Sequence, residues 1–171
     1  SNDQAPIGYN PVPEMTFSLT AGLNWKGFDF SVLLQGATRS SIYLQGDIAW
    51  DNSWGNYYEE HIGRWTPETA ATATYPRFTK AATAAHPNYY KSDYWLKDSK
   101  YLRLKNIQLG YTIPRKLLKK FGVRSLRVYA NAYNLFTWDN VKKVDPESSN
   151  NSNGQFYPQQ KVINFGINLN F

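Results

Sequence analysis

Between Met15 and Trp25 every odd position is apolar: Met15, Phe17, Leu19, Ala21, Leu23, Trp25. Every even position is polar or glycine: Thr16, Ser18, Thr20, Gly22, Asn24. A period of two predicts a strand with one apolar and one polar face. The pattern resumes after Lys26-Gly27, with Phe28, Phe30, Val32 and Leu34 against Asp29, Ser31 and Gln35; Leu33 is the one violation. Two such runs joined by a Lys-Gly step predict a tight hairpin over 15–35. Further on, Ile107, Leu109, Tyr111 and Ile113 alternate with Asn106, Gln108, Gly110 and Thr112 until Pro114. Leu126, Val128, Ala130 and Ala132 then alternate with Arg127, Tyr129, Asn131 and Tyr133. These runs predict a second hairpin over 99–136. The last run, over 161–171, sets Ile163, Phe165, Ile167, Leu169 and Phe171 against Val162, Asn164, Gly166, Asn168 and Asn170.

The connections alternate in length. Residues 26–27 and 114–124 are short, whereas 36–98 and 137–160 are long. If the strands reverse direction each time, both short connections fall at one end of a sheet and both long loops at the other. Outer-membrane barrels have this asymmetry, with short periplasmic turns and long extracellular loops. A soluble antiparallel sheet alternates as well. Three features favour the membrane. An eleven-residue strand tilted at ~45° covers ~25 Å, the height of an apolar band. Aromatics stand at strand ends (Trp25, Phe28, Tyr111, Phe171). The polar faces are Asn, Gln, Ser, Thr and Gly with few charges, as suits a water-filled lumen. The expected fold class is therefore all-β: about five strands of an antiparallel transmembrane β-barrel with two long extracellular loops.

Composition narrows this reading. The 171 residues are 42% hydrophobic, 16% aromatic and 19% charged, without cysteine. Disulfide frameworks, thiolate metal sites and cysteine nucleophiles are excluded, and no apolar run approaches the ~18 residues of a spanning helix. The net charge is +6. Ten of the 19 basic residues lie between Lys97 and Arg127, with Asp98 the one acid there. The cluster splits between the two ends of the band, so lipid or lipopolysaccharide is the expected partner rather than nucleic acid. The lower set, Arg115, Lys116, Lys119, Lys120 and Arg124, shares a short helical turn with Leu117, Leu118 and Phe121.

No catalytic constellation stands out, and the chain is expected not to be an enzyme, with no cofactor and no metal. His61 and His86 lack a ligand spacing. Asp47, Asp51, Glu59 and Glu60 suit solvated loop polarity better than a glycosidase pair or a calcium site. The loop over 36–98 is unusually aromatic. Rings stack on sugar faces and pack against partners, but they also fill small loop cores. Trp50, Trp54, Tyr57 and Tyr58 are the expected contacts. The alternatives to a membrane wall are a soluble all-β carbohydrate-binding module using the same loop, and a secreted hydrolase fragment using Asp51 or Glu59.

An ordered set of short motifs goes further: Asn10-Pro11-Val12-Pro13, Lys26-Gly27-Phe28-Asp29-Phe30-Ser31, Arg64-Trp65-Thr66-Pro67-Glu68, Tyr75-Pro76-Arg77, Ser92-Asp93-Tyr94-Trp95-Leu96-Lys97-Asp98-Ser99, Tyr101-Leu102-Arg103-Leu104-Lys105-Asn106, Leu109-Gly110-Tyr111-Thr112-Ile113-Pro114, Leu126-Arg127-Val128-Tyr129, Asn134-Leu135-Phe136, Asp145-Pro146-Glu147 and the terminal Phe171. In this order they resemble the C-terminal part of SusC/RagA-type TonB-dependent outer-membrane transporters of Bacteroidetes-like bacteria. The resemblance implies a 22-stranded-type barrel around a plug, importing oligosaccharides or peptides under a SusD-like surface lipoprotein and driven by the TonB complex. It implies the outer membrane as location, with the rest of the barrel, the plug and the TonB-binding segment outside these residues. Five strands cannot close a wide barrel, and open edges in lipid cost several kcal/mol per unpaired group, so the chain is expected to complete a larger wall. On this reading Asn106, Gln108, Asn164 and Asn168 face the lumen, Phe171 serves as the barrel-assembly signal, and Trp50, Trp54, Tyr57 and Tyr58 meet substrate or lipoprotein. Trp65, Tyr75 and Trp95 fall in the motifs and are expected to pack structurally.

Overall fold

A computed structural model of the chain describes residues 5–51, 57–80, 86–148 and 157–171. Its elements are β1 (Met15–Trp25), β2 (Phe28–Thr38), β3 (Ser41–Tyr43), β4 (Leu96–Asp98), β5 (Tyr101–Thr112), α1 (Arg115–Leu118), β6 (Ser125–Asp139) and β7 (Val162–Asn170), with short 3-10 turns between. They divide into two compact units.

One unit is a five-stranded antiparallel sheet in the order β1-β2-β5-β6-β7. The register carries the alternation across the strands. Leu23, Phe30, Leu109, Ala130 and Phe165 pair in one row, and Ala21, Val32, Ile107, Ala132 and Ile163 in another. Paired residues share a face, so the apolar positions merge into one apolar face. That face is open, with Phe165 83% exposed. The polar positions merge on the opposite side. Both outer strands, β1 and β7, leave one edge unpaired within the described residues, so the sheet is a partial barrel wall.

Two details were not expected from the alternation. β5 carries an extra residue at Lys105 relative to β2, between the pairs Leu33↔Asn106 and Leu34↔Leu104. This bulge switches parity, so that Leu102 and Leu104 continue the apolar face begun by odd-numbered Ile107, Leu109 and Tyr111. β6 takes up the neighbouring irregularity at Asn134, whose φ is +50°. Leu33, the misfit of the alternation, pairs with Thr20 and Asn106 at this register shift. The strands also run past their expected ends. β2 reaches Thr38 rather than Gln35, and β6 reaches Asp139 rather than Phe136, because Ala37↔Tyr101 and Tyr101↔Asp139 pair beyond the alternating stretch. The long loops accordingly begin later than 36 and 137.

The hairpin tip is Lys26-Gly27, both at positive φ (47° and 91°), as a two-residue primed turn requires. A Cβ on Gly27 would also lie 2.9 Å from the Thr112 carbonyl oxygen. Pro114 ends β5, and α1 with the 3-10 turn Lys119–Phe121 returns the chain to β6. Gly122, at φ +68°, caps that turn.

The other unit comprises residues 1–13, 39–99 and 140–158. Its β3 and β4 pair antiparallel within the expected long loop. The pairing is clamped where Ser99 N donates to Ser40 O at 2.9 Å and the two hydroxyls meet at 2.9 Å. Around it Ile42, Leu44, Ala49, Tyr75, Tyr89, Trp95 and Val141 form a buried cluster. A core of this kind lets a long connection hold a defined shape. Among the described residues no helix is long and apolar enough to cross a membrane.

Candidate functional site

On the polar face of the sheet, Ser31, Gln108, Asn131 and Asn164 pair into one row, and Asn168 stands opposite Arg127. Asn106 sits one row further along, between Leu33 and Tyr133. The structure therefore brings Asn106, Gln108, Asn164 and Asn168 onto the same face, opposite the apolar one. Amide side chains offer both donors and acceptors. The Oδ1 atoms of Asn106 and Asn131 are shielded and have no hydrogen-bond partner among the described residues. Near the hairpin end, Arg127 reaches across β5 to Asp29, with Nε to Oδ2 at 2.9 Å and Nη2 to Oδ1 at 2.5 Å. Gly110 lies between them, and a Cβ there would run into both charged groups. Arg127 also sits 4.8 Å over the Tyr129 ring, and Tyr129 in turn fills the space a Cβ on Gly166 would take. At the other end of β5, Arg103 is buried, and its Nε donates to Thr137 Oγ1 at 3.0 Å.

In the loop unit the carboxylate singled out from sequence, Asp51, is 1% exposed. It accepts from Thr79 N at 2.9 Å and from the Tyr89 hydroxyl. Burial, and then the hydrogen bond to Asp51, push the Tyr89 phenol well above its ordinary range. Burial, with the Asp51 charge second, does the same to Tyr75, whose hydroxyl donates to Ala49 O at 2.8 Å. His61 is buried too. Its Nδ1 accepts from Tyr58 N at 3.0 Å, which leaves Nε2 as the donor toward Ala49 O at 3.3 Å. Asp51 and His61 thus hold the loop together. Among the described residues no group of three or more His, Asp or Glu side chains is placed to hold a metal.

The aromatic candidates separate. Trp50 packs on Tyr89, ring centroids 4.8 Å apart, against the buried cluster. Tyr57 is 57% exposed, and Tyr58 is exposed beside it. Lys143 Nζ lies 5.5 Å over the Tyr58 ring and 3.3 Å from the Glu60 carboxylate. Burial raises the Glu60 carboxyl, but hydrogen bonding to a backbone N–H and to Lys143 outweighs it and leaves the group below its usual range. Trp54 lies outside the described residues. Of the motif aromatics, Tyr75 and Trp95 are buried, while Trp65 is exposed. Sequence reasoning missed a cavity of about 640 Å³ in this unit, lined among others by Ile7, Tyr9, Val12, Leu96, Lys91 and Glu147. No local pattern could have revealed it, because its walls come from four separate stretches of chain.

No family model matches the chain. A TonB-dependent receptor of Formosa agariphila is 29% identical over 188 residues, covering 100% of this chain and 18% of that protein. The TonB-dependent receptor SusC of Bacteroides thetaiotaomicron is 26% identical over 166 residues, covering 94% of this chain and 15% of SusC. The chain is similar to one segment of SusC/RagA-type TonB-dependent transporters. The solved RagAB peptide importer in its open-open state has the same fold here: a TM-score of 0.73 at 24% identity, over 95% of this chain and 18% of that one. A second structure of the RagAB peptide transporter gives a TM-score of 0.72 at 22% identity. The chain spans less than a fifth of each of these transporters. The likeness is to transport proteins rather than to enzymes, and the open five-stranded sheet fits a partial transporter barrel.

Proposed function

We propose that this chain is a C-terminal wall segment and an extracellular loop of a TonB-dependent importer in the bacterial outer membrane. One observation supports this above all: a five-stranded antiparallel sheet whose registered rows merge into one largely open apolar face. Lipid covers such a face without cost, whereas water does not. The polar face, with Asn106, Gln108, Asn164 and Asn168, then lines the lumen or contacts the plug. A SusD-like lipoprotein closes over the loop unit, where Tyr57 and Tyr58 are the best-placed contacts for it or for substrate. Trp50 serves mainly to pack the loop. The substrate is an oligosaccharide or a peptide, moved without bond chemistry once TonB draws the plug aside. Phe171, which follows β7, carries the assembly signal. An open apolar face this large disfavours a soluble carbohydrate-binding module.

The test is uptake by cells carrying the intact transporter, offered mixed oligosaccharides and mixed oligopeptides. Depletion of one class that stops when TonB is removed is expected. Tyr57→Ala with Tyr58→Ala is expected to weaken apparent affinity about tenfold, as loss of exposed aromatic contacts does. Uptake of neither class, or uptake indifferent to TonB, contradicts the proposal.

A further inference from the structure

We propose that the connection between β5 and β6, residues 113–124, binds anionic phospholipid headgroups in the membrane leaflet at that end of the sheet; this rests on the reading of the sheet as a membrane wall. The segment turns through α1 and the 3-10 turn Lys119–Phe121. Leu118 is buried, but Leu117 and Phe121 are 65% and 76% exposed. Arg115, Lys116, Lys119, Lys120 and Arg124 are exposed around them. No acidic residue occurs between Asp98 and Asp139, so the segment carries no acid of its own beside these five cations.

The segment is tied to the end of the sheet. Ile113 N donates to Leu126 O at 2.8 Å, and Arg124 N to Asn170 O at 2.8 Å. Thr112 N donates to Gly27 O at 2.7 Å, which brings the β1-β2 hairpin tip to the same end. That tip adds a sixth cation, Lys26, whose Nζ lies 5.0 Å over the exposed Trp25 ring. Phe28 and Tyr111 pack against each other beside it, centroids 4.5 Å apart and rings tilted by 39°. The apolar face thus ends in an aromatic edge where six cations and two protruding apolar side chains gather. In the headgroup layer Leu117 and Phe121 enter the acyl boundary, and the Lys and Arg side chains meet phosphates. An acidic soluble protein would use the cations, but it would give no reason for them to adjoin the aromatic edge of an apolar face.

The test uses the intact transporter in bilayers of equal parts phosphatidylcholine and phosphatidylglycerol, scoring which lipid stays bound. Preferential retention of phosphatidylglycerol that fades at high salt is expected. The variant Arg115→Gln, Lys116→Gln, Lys119→Gln, Lys120→Gln is expected to lower it at least about tenfold at low salt, each surface cation counting for severalfold. Leu117→Ser with Phe121→Ser is expected to weaken retention while leaving the charge unchanged. Equal retention of the two lipids by the folded protein overturns the proposal. So does a preference untouched by the Gln variant, or a Gln variant that loses only an acidic protein partner. Failure to insert into either bilayer overturns instead the membrane reading beneath it.

Discussion

Gly110 and Gly166 leave the room that the polar face uses for its largest polar contacts. Gly110 lets the Asp29–Arg127 pair close across the intervening strand, and Gly166 takes the Tyr129 ring. An added methyl at either place forces a side chain off its contact, at a cost of about 1–3 kcal/mol. Gly110→Ala and Gly166→Ala should therefore lower the unfolding temperature of the intact protein, followed by heat-dependent electrophoretic mobility. An unchanged midpoint for both would mean that these contacts are not formed in the assembled wall. In the loop unit, Asp51→Ala strands the Thr79 N–H in a buried site, at about 1–3 kcal/mol for the unsatisfied group, and leaves the Tyr89 hydroxyl with the Thr79 hydroxyl, 3.2 Å away, as its partner. Hydrogen exchange should accelerate around 76–80 and 86–90 while the five long strands keep their protection. The raised phenols of Tyr75 and Tyr89 set a direction with pH. Below about pH 10 both folded and unfolded chains keep these protons, so stability does not change on their account. Above it the unfolded chain releases them while the folded loop retains them, so loop stability falls as pH rises. Tyr89→Phe, which removes one of the two groups, should make that fall shallower in a denaturation series from neutral to alkaline pH.

At the scale of elements, much was legible where pairing is local. The alternation from Met15 to Gln35 contains its own turn, and Lys26-Gly27 marks the tip by the need for positive φ. The terminal run was equally legible, because Ile163 to Phe171 keeps one parity throughout. What was illegible depends on partners distant in sequence. The Lys105 bulge exists because Leu102 and Leu104 must share a face with Ile107, and the stretch from Tyr101 to Asn106 alone does not say where parity switches. The β3-β4 pair joins residues separated by most of the loop. Asp51 looked like solvated loop polarity until Thr79 and Tyr89 closed on it. The bulge gives a sharp prediction. Deleting Lys105 leaves Leu102, Leu104 and Ile107 in direct alternation with Arg103 and Asn106, so the apolar face is kept without the bulge. The deletion variant should therefore still assemble in outer-membrane fractions, as should Lys105→Ala. Loss of assembly on the deletion alone would contradict the parity switch.

At the scale of the whole molecule, the sheet formed by the described residues has two open edges and one uncovered apolar face, as a section of a larger wall would. Neither edge is capped by proline, and their long backbones are ready to pair with neighbouring strands. The similarity to less than a fifth of SusC and of the RagAB importer chain agrees with that. The central proposal is that one face of the sheet meets lipid and the other an aqueous lumen. The chain has no cysteine, so single cysteines can be placed along β1 and β7 of the intact protein, in an otherwise cysteine-free background, and labelled in native outer membranes. A membrane wall predicts a period of two. Cysteines at Leu19, Leu23, Ile163, Phe165 and Ile167 should react with a lipid-soluble thiol reagent and resist an impermeant one, with the reverse at Thr20, Asn24, Asn164 and Asn168. Uniform reaction with the impermeant reagent along both strands would contradict it.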